Sequence, residues 1–564
     1  AYLQALIEGR PRRNDPYTGR DDRPGSPQPE SLFSIQFIPP YALALTARAC
    51  GLNASSAFVL LTGLVAFLST LALFRLIGSI TGDEGLAASG ALLVLCLGTF
   101  ALVYGPLRLL FGQETTFTFS YLPFLRRYLP AAPFPLLFVF CALVWRALSL
   151  RGGRAARAAV LAGLVFALLV FSYFYLWTAA LGWFGILALL WLAARPAARA
   201  DALRSLGIIA ALAVAALAPY FALLSNRAPT MDAVQLLAAS HAPDFSRSSE
   251  KLGLLICAAL LYAARRGIVR LREPAALFTL SFALTPLVVF NQQVLTGRSL
   301  QPLHYELYIA KYLALLALIL AAALWRRGRV RREEADGGEV RRMRTRTALA
   351  LSLVALGWGT FETVLETGRR SRLNLERDEA FPVVRSLQAR APSAAASGEA
   401  NQAVVLYTDL GMADSAPALT SRPVLWAPHA PVFSGLARDE NRERIYQYLY
   451  YTGAETRGLE GRQFEELDYR LQYLIHSLVE WGHNDPAWTV DWRPLTRADI
   501  EDALRGYASY AASFGRAEAA CPVLSHVVIE TERPPSFANL DRWYERDAGV
   551  RIGRFTLYGV RLRP

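Results

Sequence analysis

Three groups of side chains have the types and spacing to do chemistry. The first is Asn14-Asp15-Pro16-Tyr17, with Asp21-Asp22 shortly after it. A carboxylate such as Asp15 or Asp22, its pKa set by its neighbours, can take a proton from an acceptor hydroxyl as a general base. The same residues also spell turns, because Asn-Asp-Pro and Pro-Gly favour them without any catalytic role. The second group is Arg298, Gln301, His304, Glu306 and Lys311. Lys311 is one of very few lysines and falls about one turn inside an apolar helix, a depth at which an ionisable residue is a functional candidate by default. Arg298, His304 and Lys311 together suit a lipid phosphate or pyrophosphate at a membrane surface. The plainer alternatives are snorkelling of Lys311 to the headgroups or an Arg298–Glu306 ion pair. Asn291, Gln292, Gln293 and Thr296 add hydrogen-bonding groups suited to a sugar or headgroup pocket. The third group is Arg108, Gln113 and Glu114, followed by Arg126-Arg127. Interfacial anchoring explains Arg108, while Glu114 is a candidate second carboxylate.

The elements that must position these groups are long and apolar. Runs near 56–78, 84–106, 133–149, 158–173, 174–194, 205–224, 251–264, 274–291, 307–325 and 346–366 alternate with short polar connections. About 20 apolar residues span a bilayer as a helix, which alone satisfies its own backbone in lipid. Connections 150–157, 195–204, 265–273 and 326–346 are rich in arginine, whereas 107–130, 225–250 and 291–306 carry far fewer basic residues. The positive-inside rule therefore predicts a cytoplasmic side for the first set and an external side for the second. The opening AYLQALIEG reads as the end of an apolar helix, so a further span is expected before it.

Composition agrees. Of 564 residues, 54% are hydrophobic, too apolar for an ordinary soluble enzyme of that length. The net charge of +13 is explained largely by loop arginines meeting anionic headgroups, which argues against a nucleic-acid partner. Five cysteines, with no CxxC or Cys/His spacing, support neither a zinc site nor a disulfide framework. No metal ligands are assigned, although a divalent metal stays open as a cofactor.

Three regions follow. Residues 1–55 form an external first loop with interfacial helices, the second stretch broken by Pro39 and Pro40. Residues 56–366 form the transmembrane helical domain, and 367–564 an external α/β domain. In the latter, strand signals occur at Ala403–Tyr407, Val424–Trp426, Val523–Glu530, Val550–Ile552 and Phe555–Leu562. Helical stretches are expected near 375–390, 439–452, 462–481 and 497–514. Asp409 and Asp414 follow the first strand, and His429, His476, His483 and His526 are scattered singly, as structural or surface residues. There is no P-loop, GxGxxG or GxSxG.

RNDPYTG, the hairpin tip SYFYLWT and NQQVLTGRSLQPLHYE, set in this many-span architecture, resemble segments of bacterial integral-membrane glycosyltransferases of the GT-C superfamily. The likeness covers most of 1–366 and more loosely 368–564. It implies a polyprenyl-phosphate-linked sugar as donor and a saccharide, lipid or protein acceptor, with Asp15 as general base. Such loops often carry a DxD pattern, which is absent here; Asp15 and Asp21-Asp22 are the nearest equivalents. The expected fold is thus a polytopic α-helical membrane protein of the bacterial inner membrane with an external α/β domain. The alternative function is a non-catalytic transporter or a lipid-handling scaffold of the envelope.

Overall fold

The computed structural model describes residues 1–9, 17–19, 29–102, 106–112, 122–194, 199–227, 231–232, 238–330, 337–390, 403–431, 436–456, 458–459, 461–478 and 492–564. Asp15, Asp22 and Glu114 lie outside the described residues, as does His483.

The apolar runs become long helices: α1 (Ala54–Thr81), α2 (Glu84–Cys96), α3 (Phe134–Ser149), α4 (Gly152–Val170), α5 (Phe174–Ala194), α6 (Arg199–Ser225), α7 (Ser248–Arg265), α8 (Pro274–Phe290), α9 (Lys311–Val330) and α10 (Gly337–Asp378). Among the described residues, seven helices are long and apolar enough to cross a membrane; α2 and α8 are apolar but shorter. Lipid explains why leucines, valines and phenylalanines such as Leu60, Phe67, Val214 and Leu353 stay exposed on their outer faces.

Local chemistry sets the boundaries. Gly82 closes α1 in the left-handed region (φ 68°), and Asp83 then caps α2 by accepting from Leu86 N–H at 2.9 Å. The run expected over 84–106 is broken: α2 ends at Cys96 and a separate short helix starts at Gly98. In the first loop, Pro39 and Pro40 do not interrupt a helix; they occupy the first turn of Ile38–Ala49, where a missing N–H costs nothing. Small residues allow close crossings: a Cβ on Gly253 of α7 would meet the Ala283 carbonyl of α8 at 2.1 Å.

Helix α9 is the axis of the bundle. With the Pro302–Ala310 segment before it, 72% of its apolar window is buried, against 17% for α10 at the periphery. It packs on α8, α7 and α2, and α10 packs along α2. A single π turn, Glu306–Ala310, leads into α9.

Helix α10 runs unbroken past residue 366 to Asp378, so the boundary expected at 366/367 falls inside a helix. Beyond it come α11 (Phe381–Ala389), β1 (Val404–Tyr407), α12 (Arg438–Tyr451), α13 (Tyr469–Leu478), α14 (Arg497–Ser513), β2 (Leu524–Glu530), β3 (Tyr544–Arg546), β4 (Val550–Ile552) and β5 (Phe555–Leu562). β1 runs parallel to β2, and β2 antiparallel to β5; the far edge of β5 pairs with both β4 and β3. Val424–Trp426 contributes only a single bridge, Val424 to Val405.

This sheet is buried on both faces. Val404 and Leu406 enter a core with α12, α13 and α14, while Val405 and Tyr407 enter another with α11. Tyr17 belongs to that second core: its carbonyl accepts from Val424 N–H at 2.8 Å. The N-terminal segment is thereby fastened to the C-terminal domain.

Candidate functional site

At the end of the bundle that carries this domain, three clusters lie beside one another. The deepest surrounds Lys311, which is 1% exposed. Its stem crosses Gly98, whose missing side chain makes the room; a Cβ there would lie 3.0 Å from Lys311 Cδ and Cε. Snorkelling to the headgroups is thus not what this lysine does. Glu362, Glu306 and Glu366, in that order of strength, act on its ammonium.

Each of the two deeper carboxylates has its own support. Thr99 Oγ1 donates to Glu362 Oε2 at 2.8 Å, and the Trp358 indole N–H donates to Thr99 Oγ1 at 3.2 Å. Glu306 accepts from the Ser249 hydroxyl at 2.5 Å and from its N–H at 3.2 Å. The π turn matters here, because Glu306 and Lys311 are five residues apart, one such turn, and so come round to a similar face. The other Glu362 oxygen, Oε1, is buried without a hydrogen-bond partner, so burial of this carboxylate is only partly offset.

Above Lys311 is a cationic and aromatic rim. The Arg126 guanidinium lies 5.4 Å from the centre of the Tyr308 ring. His304 stacks on Tyr175 at 4.8 Å and faces Tyr308 at 5.9 Å. Arg370 reaches the same tyrosine from α10 and pairs with Glu366 at 3.8 Å. Burial, and then the charge of Arg126, hold Arg370 below its ordinary pKa against the pull of Glu366. Two guanidiniums that disfavour each other would be relieved by an anion.

The third cluster belongs to the C-terminal domain. His429 Nδ1 lies 2.8 Å from Asp414 Oδ2, and the His429 N–H donates to Asp414 Oδ1 at 3.2 Å. Burial raises the Asp414 pKa, but the bonds and charge of His429 outweigh it and hold the carboxyl below its usual range, with Arg127 adding to the effect. Consecutive arginines, Arg126 and Arg127, therefore act on the second and third clusters respectively. Tyr17 O–H donates to the Asp414 carbonyl at 3.4 Å, which sets Tyr17 beside this third cluster.

Of the residues singled out from sequence, Glu306 and Lys311 come together, and His304 joins the rim. Gln301 is buried at the start of the Pro302–Tyr305 helix. Arg298 goes elsewhere: a bridge between 298–299 and 238–239 turns it outward, 3.3 Å from Asp232, which is already paired with Arg227 at 2.7 Å. It makes no ion pair with Glu306. Asn291 and Gln293 anchor the 240–247 segment before α7, bonding Asp244 and Ala242 carbonyls at 2.9 and 3.0 Å. Arg108 is exposed on the short helix Pro106–Leu110.

Sequence reasoning missed Glu362, Glu366, Arg370 and the Asp414–His429 pair. Glu362 was findable, since it is a carboxylate inside an apolar run and the rule applied to Lys311 covers it. Among the described residues, no three His, Cys, Asp or Glu side chains group as a metal site. No protein-family model matches the chain, and no curated protein matches it significantly.

Proposed function

We propose that this chain is a membrane-embedded transferase acting on a lipid-linked phosphosugar, in the manner of the GT-C glycosyltransferases it resembles. The observation that carries this reading is the convergence of Arg126 and Arg370 on Tyr308, which His304 also faces, beside the buried Lys311 and Glu362. Arginine forks suit a phosphate whose lipid tail lies in the bilayer. We read all ten apolar runs as spans, with the arginine-rich connections cytoplasmic and the C-terminal domain outside the inner membrane.

In the reaction, the acceptor oxygen attacks the anomeric carbon, and the bond from that carbon to the phosphate oxygen breaks. The acceptor proton passes to Asp15, the base the resemblance implies, and polyprenyl phosphate leaves. Arg126, Arg370 and His304 would stabilise the charge that develops on the leaving phosphate. Lys311 is too enclosed to hold that phosphate directly; its role would be to fix α10 against α9 beneath the rim.

A second reading has its own support. Ionisable chains inside a bundle also mark proton-coupled transporters, and Lys311 with Glu306 and Glu362 is such a chain. The test is transfer from a radiolabelled polyprenyl-phosphate-sugar panel by the full-length protein, with and without divalent metal. The transferase reading expects product that disappears in Asp15→Asn while donor binding persists. Donor neither bound nor consumed would overturn it and leave transport or scaffolding.

A further inference from the structure

At the opposite end of the bundle, the turn between α1 and α2, the start of α8, the end of α9 and the Thr347–Leu351 turn of α10 enclose a cavity of about 860 Å³. That volume is in the range of small-molecule sites, about 300–1,000 Å³. The cavity sits where apolar helices end: α1 stops at Thr81, and the apolar segments of α9 and α10 stop at Arg329 and Arg346. That level is the boundary between hydrocarbon and headgroups.

Its lining has two characters. Leucines such as Leu320 and Leu351 form an apolar wall, and four charged residues complete it. Asp83 and Arg326 are paired with each other. Glu84 and Arg327 also line the cavity, are exposed, and make no ion pair among the described residues. Among the described residues, the cavity thus presents one acid and one base beyond the Asp83–Arg326 pair.

We propose that this cavity binds one zwitterionic aminophospholipid of the phosphatidylethanolamine type. Its phosphate would meet Arg327, its primary ammonium would donate to Glu84, and its glycerol end and first acyl carbons would lie along the leucine wall. An anionic headgroup such as phosphatidylglycerol could meet Arg327 in the same way but has no ammonium to donate to Glu84. A quaternary ammonium has no N–H to donate, so phosphatidylcholine would forfeit the Glu84 hydrogen bond. The proposal does not rest on the transferase reading or on which side of the membrane this end faces.

The test is native mass spectrometry of the full-length protein in detergent, titrated separately with phosphatidylethanolamine, phosphatidylcholine and phosphatidylglycerol. We expect one retained phosphatidylethanolamine, bound about tenfold more tightly than either other lipid, the effect of one charge-assisted hydrogen bond. Glu84→Gln should bring phosphatidylethanolamine and phosphatidylcholine within about twofold of each other. Arg327→Gln should weaken both alike. Ala348→Phe, at a partly exposed cavity position, should remove the adduct while lipid-free melting stays unchanged. Equal binding of the three lipids by wild type would overturn the proposal, as would a preference that survives Glu84→Gln.

Discussion

Removing the charges of Lys311 and Glu362 together should cost less than the sum of removing each alone, because each charge acts on the other. Lys311 is 1% exposed and Glu362 is 0% exposed. In Lys311→Met, Glu362 and Glu306 lose their shared cation, and stranding a buried charge costs about 3–5 kcal/mol. The low end applies, because Thr99 still donates to Glu362 and Ser249 still donates to Glu306. In Glu362→Gln the amide keeps the Thr99 bond, and Lys311 keeps Glu306 and Glu366, so about 2 kcal/mol is expected. The double variant leaves neutral groups and should lose about 3 kcal/mol in all, giving a coupling of about 2 kcal/mol. Reversible unfolding in mixed micelles, followed by tryptophan fluorescence, measures all four corners of the cycle. A coupling below about 0.5 kcal/mol would mean that the two side chains act independently, and the reasoning would fail.

Three further outcomes follow from the same geometry. Gly98→Ala sets a methyl 3.0 Å from the Lys311 stem, so it should cost about 1–3 kcal/mol in wild type. The penalty should shrink in Lys311→Met, whose side chain is more adaptable; unfolding of both backgrounds checks it. Ser249→Ala removes a hydroxyl donor from buried Glu306 and should cost about 1.5–3 kcal/mol, falling to about 0.5–1.5 kcal/mol in a Glu306→Gln background, whose amide oxygen still accepts the hydroxyl. In the C-terminal domain, burial pushes His526 down from 6.5 to about 4. The fold therefore favours the neutral ring, and its stabilising contribution is present above pH 6.5 and lost as pH falls towards 4. Melting of the full chain between about pH 7.5 and about pH 4.5 should show this decline, and His526→Asn should flatten it.

Periodicity and charge made the helices legible, but not which helices meet. The apolar runs map onto α1 to α10, because length and hydropathy are local properties. The break at Leu97–Gly98 was hidden, since its cause is the Lys311 stem crossing from a helix more than 200 residues later in the chain. Arg298 was grouped with Lys311 because both lie near one span end, yet its bridge to residues 238–239 sends it to Asp232. β3 was missed because Tyr544–Arg546 is three residues long and owes its conformation to the far end of β5. His429 reads as a lone histidine until the fold sets it 2.8 Å from Asp414, fifteen residues earlier.

The most direct test of the account is binding of a polyprenyl-phosphate-sugar analogue by the full-length protein and by Arg126→Gln, Arg370→Gln and Arg298→Gln. If the rim over Lys311 holds the lipid-linked phosphate, each of the first two variants should weaken binding by about tenfold or more, one charge-assisted contact apiece. Arg298→Gln, already occupied with Asp232, should bind as wild type does. Undiminished binding in the Arg126→Gln/Arg370→Gln double variant would contradict the account, because the phosphate would then be held somewhere else.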